Sequence, residues 1–316
     1  MLYAKPNQAV LVGNTMDWYA DMQTNLWIYP RGLNHNGMAS QPSIQWTSIY
    51  GSVATTAYDK MTTNGMNERG LAAHLLNLPG TDYGSRYHNK MGLSVLLWAQ
   101  FCLDNFETVE EVVKYHEQNH IQIEGYTDPT TAQPIALHLA VEDASGDSAI
   151  IEYTDGTVHV YHSRKYTIVT NEPTYDKILA QLDNDSDYWE NAQLPGTTTS
   201  TDRFIRAAFY TKHLPNTDST TENVFNLLTV LENVSQPAAV PNPGQTAIFT
   251  TLWKAISDLN HRIYYFDSTK NFSAVWVLLD HLNFASGAPI LKLDLSNHNL
   301  AGDVTDKFTN PSPIVP

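Results

Sequence analysis

The sequence predicts an α+β protein, and three observations carry that expectation. Strand-like segments gather in three groups, helix-like segments separate the groups, and the middle group is punctuated by residues that suit hairpin turns. Strands grouped apart from helices favour antiparallel sheets covered by helices over a parallel sheet threaded by crossovers.

In chain order, AVLVGN (9–14), NLWIYP (25–30) and SIYGSVATTAY (48–58) form the first strand group, rich in residues that fit a pleated surface. LSVLLWAQFCLDNF (93–106) and TVEEVVKYHEQNH (108–120) follow with helical periodicity, and Thr108 with Glu111 has the spacing of a capping box. The middle strands are ALHLAVED, SAIIEYT, TVHVYHS and YTIVTN. ASGD (144–147) and Asp155-Gly156 sit where hairpin turns belong, so these four are expected to pair antiparallel in sequence. TYDKILAQLD, DRFIRAAFYTKHL and TENVFNLLTVLENV read as helices. IYYFDS, SAVWVLLD and LKLDL then close the chain as strands. The Pro-rich stretches QPAAVPNPG (236–244) and NPSPIVP (310–316) read as a loop and a tail. With no internal repeat, low-complexity tract or linker, residues 1–316 are expected to form one domain.

Composition narrows the function classes. The 316 residues are 42% hydrophobic and 11% aromatic, which suffices for a sizeable core. A net charge of -15 with no long Lys/Arg run disfavours nucleic acid and anionic membranes as partners. No apolar run reaches about 18 residues, and MLYAKPNQ lacks the basic and apolar parts of a secretory signal, so the chain as written is expected to be soluble and without an address. A single cysteine excludes an internal disulfide and a cysteine-rich metal site, but leaves the compartment open.

Several motifs have simpler readings than their chemistry suggests. HEQNH (116–120) fits H-E-x-x-H, in which two histidines one helical turn apart hold zinc. Here His116 and His120 continue the face of Val109, Val112 and Val113, and the segment from Ile121 to Gly125 suggests that the helix stops. No third ligand motif follows, so no metal site is expected. Cys102 lies in an amphipathic helix without a basic neighbour and reads as a small buried hydrophobe. Trp27, Trp46 and Trp276 fall in strand patterns and read as packing residues.

Asp17 stands apart because of the segments that surround it and follow it. MDW (16–18), TNLWIYPRG (24–32), WTSIYGSV (46–53), GMNERGLAAHLLNLPG (65–80), GLSVLLWAQFCLDNFETVEE (92–111), SGDSAIIEYTDG (145–156), VTNEPTYD (169–176), LPGTTTSTDRFIRAAFY (194–210) and FSAVWVLLDHLNF (272–284) resemble, in order, the choloylglycine hydrolase family of bile salt hydrolases and penicillin V acylases. The DW and NLWIYP segments are most similar to penicillin V acylases of Gram-negative bacteria.

The resemblance implies an N-terminal-nucleophile hydrolase: a four-layer αββα sandwich that cleaves linear amides with a cysteine exposed at the mature N-terminus. It implies small N-acyl amide substrates such as penicillin V, conjugated bile salts or N-acyl homoserine lactones. It further implies no cofactor, a homotetramer and a periplasmic or secreted location. By position, Asp17 matches the aspartate that holds the terminal amine, and Asn77 the asparagine that helps stabilise the oxyanion. Asn171 matches the asparagine that orients amine and substrate, and Arg203 the arginine that favours thiolate. Each has an ordinary alternative: Asp17 as a strand end, Asn77 and Asn171 as turn residues before Pro79 and Pro173, Arg203 as a partner of Asp202.

Two departures accompany the match. Met1 aligns about four residues inside the family start, so the nucleophilic cysteine is absent from the chain as written. Asn14 stands where the family has an arginine. Three functions follow: an amidase whose recorded start is short, a degenerate relative that binds acyl compounds without cleaving them, and, more remotely, a zinc peptidase built on HEQNH.

Overall fold

The computed structural model describes residues 2–4, 9–87, 89–118, 121–128, 132–184, 193–238 and 248–311. Its main strands are β1 (Leu2–Ala4), β2 (Val10–Trp18), β3 (Asn25–Tyr29), β4 (Ser52–Ala57), β5 (Met61–Asn67), β6 (Ala72–Asn77), β7 (Leu137–Glu142), β8 (Ser148–Thr154), β9 (Thr157–His162), β10 (Thr250–Asp258), β11 (Ile263–Ser268), β12 (Val275–Leu278), β13 (Leu291–Leu293) and β14 (Gly302–Asp303). The helices are α1 (Trp98–Asn105), α2 (Val109–Glu117), α3 (Tyr175–Asn184), α4 (Ser200–Lys212) and α5 (Thr220–Val234).

Two sheets face each other. The first has six strands in the order β1-β2-β10-β11-β12-β14, and the second has eight in the order β9-β8-β7-β6-β5-β4-β3-β13. Pairing is antiparallel throughout except between β12 and β14. Alternation along each strand divides its side chains between two cores. In β2, Val10 and Val12 join Leu26, Ile28, Val53, Met66 and Ala72 in the core between the sheets. Leu11 instead joins Leu227 and Leu231 of α5, and a Cβ on Gly13 would meet Leu231 at 3.0 Å. On the far side, Ala73, Leu75, Leu139, Val141 and Ile151 pack with Trp98, Phe101, Cys102, Val109 and Val112 of α1 and α2. The result is the αββα sandwich. Each fully buried leucine or isoleucine in these layers contributes about 1.5–3 kcal/mol of transfer free energy.

Local sequence explains several element ends. Thr108 caps α2 and Glu111 returns the bond, completing the box. Asp155 (φ 50°) and Gly156 (φ 71°) make the β8–β9 turn, a left-handed pair that suits a two-residue hairpin.

Two expectations need correction. YTIVTN is not a fourth middle strand, because its polar groups are taken by side chains: the Thr170 carbonyl accepts from His138, the Tyr166 carbonyl from Ser148, and the Asn171 N–H donates to Ser200. β5 and β6 are strands that the grouping left out. Their periodicity is hidden because β5 buries Thr62, Thr63 and Asn64, which are satisfied by Gln100, the Thr55 carbonyl and Tyr264. The Pro-rich loop lies largely outside the described residues, as does most of the tail.

A buried acid on α1 gives a testable pH effect. Asp104 accepts from Trp46 Nε1 at 2.7 Å and Gln100 Nε2 at 2.8 Å, and is fully buried. Burial pushes its carboxyl up from 3.8 to about 7, with those two donors holding it back. Below about pH 4 both folded and unfolded chains keep the proton. Between about 4 and 7 only the folded chain keeps it, so this group's contribution to stability is lost as pH rises, by on the order of 4 kcal/mol. Urea unfolding of the wild type and Asp104→Asn across pH 4–8 should show their stability difference changing over that window; a constant difference would contradict the shift.

Candidate active site

The four residues singled out from the sequence meet at one end of the first sheet. β2 runs on to Trp18, so Asp17 lies within the strand, opposite Thr251 of β10. The Thr251 hydroxyl donates to one oxygen of Asp17, and the other accepts from Thr15 Oγ1 and Arg203 Nη1, both at 3.3 Å. Arg203 reaches it from the first turn of α4, which Thr199 caps by accepting from Asp202 N–H. Its Nε donates to the Thr198 carbonyl at 3.1 Å and its Nη2 to Asn171 Oδ1 at 2.6 Å. Asn171 then passes its Nδ2 to the carbonyl of Asn77, the last residue of β6, at 2.7 Å. A continuous hydrogen-bonded chain thus runs from Thr251 through Asp17, Arg203 and Asn171 to Asn77.

The arrangement is charged and secluded. The Asp17 and Arg203 side chains are only 10% and 8% exposed, so their attraction is little screened and each depends on the other for solvation. The ordinary reading of Arg203 fails, because Asp202 instead takes the N–H and hydroxyl of Thr197. Asn77 enters through its backbone carbonyl, not its side chain. Such a cluster offers a fixed carboxylate, a cation and amide groups, which suits holding an amine and polarising an acyl amide.

Asn14 lies three residues before Asp17 and therefore on the other face of β2. It is buried, and its Oδ1 has no hydrogen-bond partner among the described residues.

The model of linear amide C-N hydrolases of the choloylglycine hydrolase family matches residues 1–300 of this chain. The chain belongs to the choloylglycine hydrolase family. It is 38% identical over 314 residues to a penicillin V acylase of Pectobacterium atrosepticum, covering 90% of this chain and 81% of that protein. The structure of penicillin V acylase from Agrobacterium tumefaciens superposes with a TM-score of 0.91 at 37% identity, covering 99% of this chain and 97% of the other. A conjugated bile acid hydrolase from Clostridium perfringens, 22% identical, shares the fold at a TM-score of 0.81, with coverage of 95% and 97%.

Within this family member the competing motifs have structural explanations. α2 ends at Glu117, and His116 is buried, with Nε2 accepting from Trp98 Nε1 at 2.9 Å and Nδ1 facing the Val112 carbonyl at 2.8 Å. Both nitrogens are engaged, and burial pulls the imidazole down to about 4. His116 thus has no lone pair to give a metal, while His120 lies outside the described residues. Among the described residues no group of three His, Cys, Asp or Glu could hold a metal ion.

Cys102 is fully buried in α1, and burial pushes its thiol far up. Cys102→Ala is expected to cost about 1 kcal/mol in urea unfolding and to leave any amide turnover unchanged. Abolished turnover in a folded variant would make Cys102 a participant in the chemistry.

Sequence reasoning missed Thr15, Thr251 and Ser200, which hold Asp17 and Asn171 in place. Only the β2–β10 register brings Thr251 to Asp17, and no local spacing announces it. It also missed an aromatic group beside the site: Trp18, Tyr19 and Phe249 have ring centroids 4.9–5.7 Å apart, and Tyr19 is 47% exposed.

Proposed function

We propose that this chain is the body of an N-acyl amide hydrolase whose nucleophile is an N-terminal cysteine placed just ahead of Met1. The observation that supports this most directly is the register of β1, in which Leu2 faces Val12, Tyr3 faces Leu11 and Ala4 faces Val10. Each step upstream along β1 moves one step downstream along β2. A residue three positions before Met1 would therefore come opposite Met16, and one four positions before it opposite Asp17.

The steps follow from that placement. The thiol, its proton taken by the terminal amine, attacks the acyl carbon and forms a C–S bond while the carbonyl oxygen gains charge. Collapse expels the amine with that proton and leaves a thioester, which water hydrolyses to the carboxylic acid, restoring the thiol. Asp17 holds the terminal amine, and Asn171 orients both amine and substrate. Asn77 donates to the oxyanion from its side chain, and Arg203 favours the thiolate while tying Asp17 to Asn171.

For the acyl group, the Trp18–Tyr19–Phe249 wall supports an aryl substituent, as in penicillin V, over a steroid or a plain alkyl chain. Offered penicillin V, a conjugated bile salt and an N-acyl homoserine lactone, a cysteine-extended chain should release amine fastest from penicillin V. Preference for either of the others would overturn this assignment of the wall. Secretion and homotetramer assembly belong to the same proposal.

Asn14 favours a second reading, in which the chain binds acyl amides without cleaving them, because a neutral amide supplies no charge to favour a thiolate. Asn14→Arg in the extended chain should raise turnover at neutral pH. A protein that folds, binds and still does not cleave would establish the binding role instead.

A further inference from the structure

We propose that His138 of β7 and Glu152 of β8 are positioning residues that hold Asn171 in the site; this role rests on the amidase reading above. Both side chains are 1% exposed, yet neither touches the chain of hydrogen bonds that contains Asp17. His138 Nδ1 is hydrogen-bonded to Glu152 Oε1 at 2.9 Å, and Nε2 donates to the Thr170 carbonyl at 3.0 Å. The other oxygen of Glu152 accepts from the Tyr175 N–H at 3.0 Å, satisfying one of the free donors at the start of α3.

The pair therefore grips both ends of the segment 170–175, and Asn171 lies inside it. This segment has no ladder partner of its own among the described residues. Its other brace is Ser200, whose hydroxyl donates to Thr170 Oγ1 at 2.9 Å and accepts from the Asn171 N–H at 2.9 Å. A loop whose backbone is fixed by buried side chains can aim Asn171 at two partners simultaneously, the Asn77 carbonyl and Arg203. Burying a histidine and a carboxylate costs free energy that an apolar pair of similar volume would not, so the arrangement points to placement more than to stability.

The test compares three variants. His138→Gln keeps a donor that can reach the Thr170 carbonyl, His138→Asn is too short to do so, and Glu152→Ala removes both carboxylate oxygens. In the chain as written, hydrogen exchange of the Asn171 side-chain amide should be slow in the wild type and His138→Gln, and at least about tenfold faster in His138→Asn and Glu152→Ala. In a cysteine-extended chain with turnover, His138→Asn should lower kcat/KM at least about tenfold, but less than about twofold when Asn171→Ala is already present.

Unchanged exchange in whichever of the two loosening variants folds would overturn the proposal. Equal losses of kcat/KM with and without Asn171 would do the same, since a merely structural defect is indifferent to that residue. Absence of turnover in every extended chain would instead count against the amidase reading, and the exchange measurement would still decide whether the pair places Asn171.

Discussion

Adding a cysteine-led segment ahead of Met1, exposed by clean removal of the initiator, is expected to raise amide hydrolysis at least about 10⁴-fold over the chain as written, and at only one of two neighbouring lengths. The size follows from the covalent step. Oxyanion donors and a bound substrate retain only a small part of the rate when the nucleophile is missing, so the unextended chain should sit at background. The length dependence follows from the pleat. Three added residues bring the cysteine opposite Met16 and four bring it opposite Asp17, and successive strand side chains point to opposite faces.

One of these lengths aims the thiol into the site while the terminal amine stays within reach of Asp17, and the other aims it away. A five- or two-residue extension misplaces the amine by a further strand step of about 3.3 Å. Release of amine from penicillin V, followed across extensions of two to five residues, is the measurement. Equal turnover at all lengths would show that β1 does not continue along β2. Turnover by the unextended chain would remove the need for the added cysteine altogether.

What the sequence made legible was whatever depends on near neighbours. The capping box at Thr108 and Glu111, the Asp155-Gly156 turn and the antiparallel pairing of β7, β8 and β9 are local, and they stand in the structure as read. β5 was obscured because Thr62, Thr63 and Asn64 are buried polar residues, and burial is set by partners on α1 and β11. YTIVTN misled for the converse reason: its composition suits a strand, but side chains from β7, β8 and α4 take its hydrogen bonds first. The site behaved likewise. Asp17, Asn77, Asn171 and Arg203 were found only through ordered resemblance across the chain, since their sequence separations reach 186 residues. Thr251, joined to Asp17 across 234 residues, carried no local signal at all.

Arg203→Gln is expected to lower stability by about 3–5 kcal/mol and to abolish binding of unreactive acyl amides. Removing the guanidinium strands Asp17 as a charge that is 10% exposed, with, among the described residues, the Thr15 and Thr251 hydroxyls left to solvate it. It also frees Asn171 Oδ1 and the Thr198 carbonyl, since glutamine cannot span three partners from one amide. Asp17→Asn should cost less, because Arg203 keeps Asn171 and Thr198 as acceptors. The double variant separates charge from packing: Asp17→Asn added to Arg203→Gln should recover part of the lost stability by removing the stranded carboxylate, giving a favourable coupling in urea unfolding. Strict additivity of the two losses would mean that the pair is independently solvated. In that case the hydrogen-bonded chain from Thr251 to Asn77 could not act as one unit in holding the terminal amine.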